Sequence, residues 1–187
     1  MHNRNNDFSL IVKLLNEFLS LKEIKKKLYF FVTNQINDWE KWFQIEFEFF
    51  LKSKKRYDVR REVTAYLNPK RFPERLLSKV DIVMSELTST SKGYIFIEIK
   101  CTKRISNLKR GLRIDKEKVA AIEECNFDMR SFFGIGFHIL CTPKDVHEME
   151  KYVTETLKGS YALFKVCGCA SNRNCQCKNN GIGVVLY

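Results

Sequence analysis

The stretch YIFIEIKC, residues 94–101, does most to narrow what this chain can become. Five of its first six residues are β-branched or aromatic, which reads as a buried strand. Alternation puts Ile95, Ile97, Ile99 and Cys101 on one face and Tyr94, Phe96, Glu98 and Lys100 on the other. A carboxylate and an ammonium therefore close an apolar strand side by side. Ionisable groups in such a place need a partner or a task.

The flanking sequence supplies neighbours. Residues 9–30 read as a helix with Leu14, Leu15, Phe18, Leu19, Leu21 and Ile24 on a broad apolar side. NDWEKWFQIEFEFFLK predicts a second helix, capped by Asp38 and running to about Lys52. At about 100° per residue, Trp39, Trp42, Phe43, Phe49 and Phe50 gather on one side, with Glu46 near its middle. A carboxylate among aromatics is costly unless paired, protonated or metal-bound. The competing reading is a rim residue paired with Lys or Arg.

Strands are expected at 57–66 and 79–84, forming an antiparallel meander with 94–101. CTKRISNLKRGLRID, 101–115, reads as a basic connector, and DKEKVAAIEEC, 115–125, as a helix with Asp115 at its N-cap. A strand at 131–141, a helix at 142–159 with Pro143 in its first turn, and strands at 161–167 and 182–187 complete the order. The expected fold class is mixed α/β (α+β), a central mixed sheet flanked by helices. With only 8 Gly and 3 Pro, the 187 residues predict one domain. Its parts are a helical extension (1–37), a core (38–158) and C-terminal strands with a Cys-rich hairpin (159–187).

The formal net charge of +11 favours a polyanionic partner, nucleic acid first and an anionic membrane surface second. The plainer reading is a general abundance of Lys. No apolar run has the length of a membrane span, and residues 1–18 lack the apolar stretch and cleavage site of a signal peptide. A cytoplasmic, membrane-independent protein is expected, with its seven Cys as thiols or metal ligands.

If KVDIV pairs with YIFIEIK, Asp81 approaches Glu98, and two carboxylates at neighbouring strand ends suit Mg²⁺ or Mn²⁺. Lys100 beside them would orient a water or stabilise charge on phosphorus, and Glu46 would reach the site from its helix. Asp81 followed by Glu98-Ile99-Lys100 on a hydrophobic strand resembles the PD-(D/E)xK nuclease superfamily, and so does the order of elements over about residues 38–158. Val80 stands where that signature has proline. The resemblance implies a restriction-endonuclease-like core and a Mg²⁺-dependent nuclease, acting on DNA in restriction, repair, recombination or defence. It also implies Asp81 and Glu98 as metal ligands, Lys100 as catalytic, Glu46 as the helix acid, and a homodimer where both strands are cut.

Two further residues carry weaker signals. Glu62 offers another carboxylate, or a solvent-facing partner for Arg60 or Arg61; Lys118 reads first as an exposed helical lysine and second as facing the site. Lys103, Arg104, Lys109, Arg110 and Arg113 follow the motif strand and would contact phosphates. Cys167, Cys169, Cys175 and Cys177, spaced C-x-C-x5-C-x-C, suit a structural Zn²⁺, with reduced thiols or a disulfide as alternatives. Cys101, Cys125 and Cys141 read as ordinary buried thiols and His138 as a core histidine. Two other functions stay open: a catalytically inactive nucleic-acid-binding module and an interaction protein built on a zinc hairpin.

Overall fold

The amphipathic stretches of the chain settle on the two faces of one sheet. The computed structural model describes residues 4–73, 75–88, 92–139, 141–167 and 181–187. Its helices are α1 (Arg4–Ser20), α2 (Lys22–Thr33), α3 (Glu40–Ser53), α4 (Ile105–Val119) and α5 (Pro143–Tyr152), which runs into a π-helical turn (Val153–Leu157). The strands are β1 (Tyr57–Leu67), β2 (Leu77–Glu86), β3 (Tyr94–Thr102), β4 (Ile122–Cys125), β5 (Met129–His138), β6 (Ser160–Lys165) and β7 (Gly181–Leu186). They form a seven-stranded mixed sheet in the order β4-β1-β2-β3-β5-β7-β6.

The antiparallel meander β1-β2-β3 is present, and so is the antiparallel β6-β7 pair. β3 runs parallel to β5, with α4 in the crossover between them. Covered on both faces, β3 needs the near-continuous apolar run that its sequence supplies. On one face, α1, α2 and α3 pack Phe18, Leu28, Trp39, Phe43 and Phe47 against Ile82, Ile97, Ile99 and Phe137. On the other, Leu108 and Leu112 of α4 meet Met149, Val153 and Val185.

Three expectations need correction. The helix expected over 9–30 is two helices, divided at Leu21, whose extended backbone (ψ 131°) breaks the first from the second. Both belong to the main core, and buried Asp7 of α1 accepts from Arg130 Nη2 (3.1 Å) and Ser131 on β5. The connector at 101–115 is α4. Ile105, Leu108, Leu112 and Val119 recur at helical spacing and bury one stripe, leaving the basic residues between them outside. Asp115 is consequently interior to that helix rather than a cap, and 122–125 pairs with β1 as a strand instead of continuing a helix.

α3 also differs in detail. It opens at Trp39 rather than Asp38, and its buried stripe is Trp39, Phe43, Phe47 and Leu51 at four-residue intervals. Phe49 lies outside that stripe, 72% exposed, whereas Gln44 is buried. Among the described residues, no helix is long and apolar enough to cross a membrane.

Candidate active site

The site begins where two strands part. β2 and β3 pair only through Met84–Ile95, Val83–Phe96 and Ile82–Ile97. Beyond Ile97, β3 has edge N–H groups with no strand opposite, and buried donors of this kind must find acceptors. Asp81 Oδ2 accepts from Ile99 N at 2.7 Å, and Glu40 Oε2 from Cys101 N at 3.0 Å. Two carboxylates are thus fixed at the C-terminal end of β3 by backbone that the splayed strands leave unpaired.

β1 and β2 change face at the same level. Tyr57 and Val59 belong to the core under α1–α3, while Val63 and Ala65 pack on the opposite side. On β2, Ile82 and Met84 face α1–α3, whereas Val80 packs opposite. Strict alternation would keep each set on one side. The change falls at Glu62 and Asp81, which oppose each other between the pairs Arg61–Ile82 and Val63–Val80. Glu62 adopts φ +54°, a left-handed conformation uncommon outside glycine. That turn is what frees Asp81 from its place in the pleat. Glu62→Gly should therefore be tolerated, while Glu62→Val should cost ~1–3 kcal/mol in chemical denaturation. Equal stabilities for the two variants would contradict this role.

Behind Asp81 lies the rest of the cluster. Glu98, only 3% exposed, accepts from Lys118 Nζ at 2.6 Å through Oε2. Lys118 also donates to the Lys79 carbonyl at 3.2 Å and lies 4.0 Å from Asp115 Oδ1. Lys100 Nζ donates to Glu40 Oε1 at 3.2 Å and stands 3.9 Å from Asp115 Oδ2. Its stem crosses Gly111 of α4, where a Cβ would come within 2.9 Å of Cγ and Cδ, so this helix carries its one glycine at the crossing. Four carboxylates (Glu40, Asp81, Glu98, Asp115) share two ammoniums (Lys100, Lys118). The Glu98 Oε1 and Asp115 Oδ2 atoms are buried without a hydrogen-bond donor.

That imbalance governs protonation. Burial, with Asp81 alongside, pushes the Glu98 carboxyl up to about 8 against the pull of Lys118. Burial likewise raises Asp81 and Asp115. For Lys100, burial works downward but Asp115 and Glu40 outweigh it, so the ammonium is held above its ordinary value and remains charged. A carboxyl raised from 4.5 to about 8 binds its proton more tightly folded than unfolded. Its contribution to stability is full below pH 4.5 and is lost as pH rises to about 8. In EDTA, stability relative to Glu98→Gln should accordingly fall between pH 5 and 8, measured by urea denaturation at each pH. A flat difference across that range would contradict the reading.

The expected residues are brought together selectively. Asp81 stands within electrostatic reach of both Glu98 and Lys100, and Lys118 joins them as a buried partner of Glu98 rather than an exposed lysine. Glu46 does not take part through its own contacts. It accepts from Lys27 of α2 and, at 3.1 Å, from Trp42 Nε1, while the α3 carboxylate at the β3 edge is Glu40. The two glutamates are six residues apart, ~9 Å along the helix axis, and point in different directions. Glu62 likewise turns away from the cluster. Lys41 and Lys79 hold it, with Arg61 at 3.3 Å, and the first two keep its carboxyl down at about 2.

The basic residues stand around α4. Arg104 is its N-cap, and Lys103 precedes it in the turn from β3. Lys109, Arg110 and Arg113 line a cavity toward α5 instead of the carboxylates. His138 is fully buried, with Nε2 3.0 Å from Tyr161 Oη, the core position expected of it. Of the four proposed zinc ligands, Cys167 is half-buried just past β6, and Cys169, Cys175 and Cys177 lie outside the described residues.

Compared with family models, curated proteins and solved structures, the chain matches none. A divalent ion can therefore be judged only by the donors present. Among the described residues, no three His, Cys, Asp or Glu side chains stand together as a metal-ligand set. Mg²⁺, however, commonly keeps several waters and takes only one or two protein carboxylates. Asp81 and Glu98, whose Oε1 is orphaned, supply the two carboxylates of that smaller requirement, and one divalent cation would offset the excess of two carboxylates over ammoniums once Glu98 ionises.

Proposed function

We propose that this chain is a metal-dependent nuclease that hydrolyses phosphodiester bonds, with DNA as its substrate. The observation that carries the reading is the cluster of four carboxylates and two ammoniums at the parting of β2 and β3, with Glu98, Asp115 and Lys118 buried and Glu40, Asp81 and Lys100 half-buried. Asp81 and Glu98 would hold Mg²⁺ or Mn²⁺. A divalent ion there would polarise a phosphate oxygen and acidify a bound water. Lys100, kept charged by Asp115 and Glu40, presents a cation to the developing negative charge on the phosphoryl oxygens. Glu40 and Asp115 position that ammonium, and Lys118 holds the Glu98 carboxylate. The net charge of +11 supports a polyanionic substrate.

A second reading draws on one contact. Lys118 already neutralises Glu98 internally, as it would in a nucleic-acid-binding module without catalysis. Supercoiled plasmid, linear duplex, single-stranded DNA and RNA, each with Mg²⁺, Mn²⁺ or EDTA, separate the two. Cleavage that needs the metal supports the nuclease. Metal-independent binding with no cleavage of any of the four supports the module.

A further inference from the structure

α4 has two working flanks. Gly111, Asp115 and Lys118 line the acidic cluster, while Lys109, Arg113 and Lys116 lie on the opposite side of the buried stripe. That second flank opens into a cavity of about 480 Å³, walled by Lys109, Arg110, Arg113 and Lys116 and by Tyr152 and Thr156 from α5 and the π-helical turn. Leu157 adds an apolar edge.

Its charge is only partly compensated. Glu148 pairs with Lys109 at 2.6 Å, and Glu117 comes to 3.9 Å from Arg113 Nε. Neither Arg110 nor Lys116 has a carboxylate within ion-pair distance among the described residues. Guanidinium forks at the mouth of a concave site match phosphate oxygens. The wall itself is unusual. Val153–Leu157 is a π-helical turn, a form that is rare and frequent at functional sites, and it ends at Lys158 with φ +57°. Such a turn moves Thr156 and Leu157 out of α-helical phase and into the cavity's lining.

We propose that this cavity binds a nucleoside phosphate, with the phosphate on Arg110, Arg113 and Lys116 and the nucleoside against Tyr152 and Leu157. The volume suits one nucleotide and excludes a paired duplex. As part of the nuclease reading, the unit belongs to a single strand whose neighbouring phosphates reach the acidic cluster across α4. As a free nucleotide it would need no such reading.

The test is fluorescence anisotropy in EDTA, which isolates binding from cleavage. A labelled 12-nucleotide single strand is titrated with wild type, the double variant Arg110→Glu/Lys116→Glu, and Tyr152→Leu. AMP, ATP and inorganic phosphate serve as competitors. The double variant, altered only at exposed helical positions, should bind at least ~10-fold more weakly, and its log-affinity against log-salt slope should fall by ~1.4 for two lost contacts. Tyr152→Leu should lose the preference for AMP over inorganic phosphate. AMP should displace the strand better than inorganic phosphate in either case: displacement at concentrations similar to those of unlabelled strand names a free nucleotide as the ligand, and displacement that needs far more AMP than unlabelled strand names the polymer. Unchanged affinity and salt slope in the double variant, or no preference for AMP over phosphate in wild type, would overturn the proposal. Binding that persists when metal-dependent cleavage is absent would refute the catalytic reading alone.

Discussion

Asp81→Asn should lower metal-dependent cleavage at least ~10³-fold, because losing a ligand of the ion removes the charge that would polarise the phosphate and acidify the water. The chain should stay folded, because the amide oxygen can still accept from Ile99 N, as Asp81 Oδ2 does at 2.7 Å. What is lost is charge at the one carboxylate shared by the strand edge and the ion. Lys100→Met should approach the same loss, since its ammonium is held charged at the same point. Glu46→Gln supplies the control. Its carboxylate serves Lys27 and Trp42, so cleavage should remain within about twofold of wild type while Glu40→Gln falls well below it. Rates from initial-velocity assays on one substrate decide this, and equal losses in the Glu40 and Glu46 variants would contradict the assignment.

Lys118→Met should have the largest effect on stability. The Lys118–Glu98 pair is buried on both sides, with side chains 11% and 3% exposed. Removing one partner of a buried pair typically costs ~3–5 kcal/mol, because the other charge stays behind uncompensated. The cost should grow as pH rises through about 8, where Glu98 ionises in the wild type and Lys118 holds the charge. A divalent ion that binds Asp81 and Glu98 offers a substitute charge, so Mg²⁺ or Mn²⁺ should restore much of the loss. Urea denaturation of the variant at pH 8, in EDTA and in Mn²⁺, measures both. A loss that metal does not repair would favour the module in which Lys118 alone completes the site.

The strand that holds the site was legible because its constraints are local. Alternation and β-branching defined β3, and the meander around it follows from short connections. Asp81, Glu98 and Lys100 were legible for the same reason. Glu40 was not, because the aromatic stripe drew attention to Glu46 at the middle of α3. The deciding fact is the position of the helix's first turn over the unpaired edge of β3, a tertiary relation that periodicity does not carry. Asp115 reads as a cap, and Lys118 as facing the site only second, because the basic density of 103–113 masks a helical stripe. Ile105, Leu108, Leu112 and Val119 held the signal that places both side chains on the buried flank. The left-handed turn at Glu62 has no sequence signal at all, since glutamate is an improbable residue for it.

Whether Asp81 and Glu98 hold a divalent ion can be read by titration calorimetry with Mn²⁺ at pH 8. Wild type, Asp81→Asn and Glu98→Gln would be compared after treatment with chelator. About one Mn²⁺ per chain is expected, lost in both variants, with proton release on binding as the raised Glu98 carboxyl ionises. Absence of Mn²⁺ binding, or binding of equal strength in all three proteins, would contradict it.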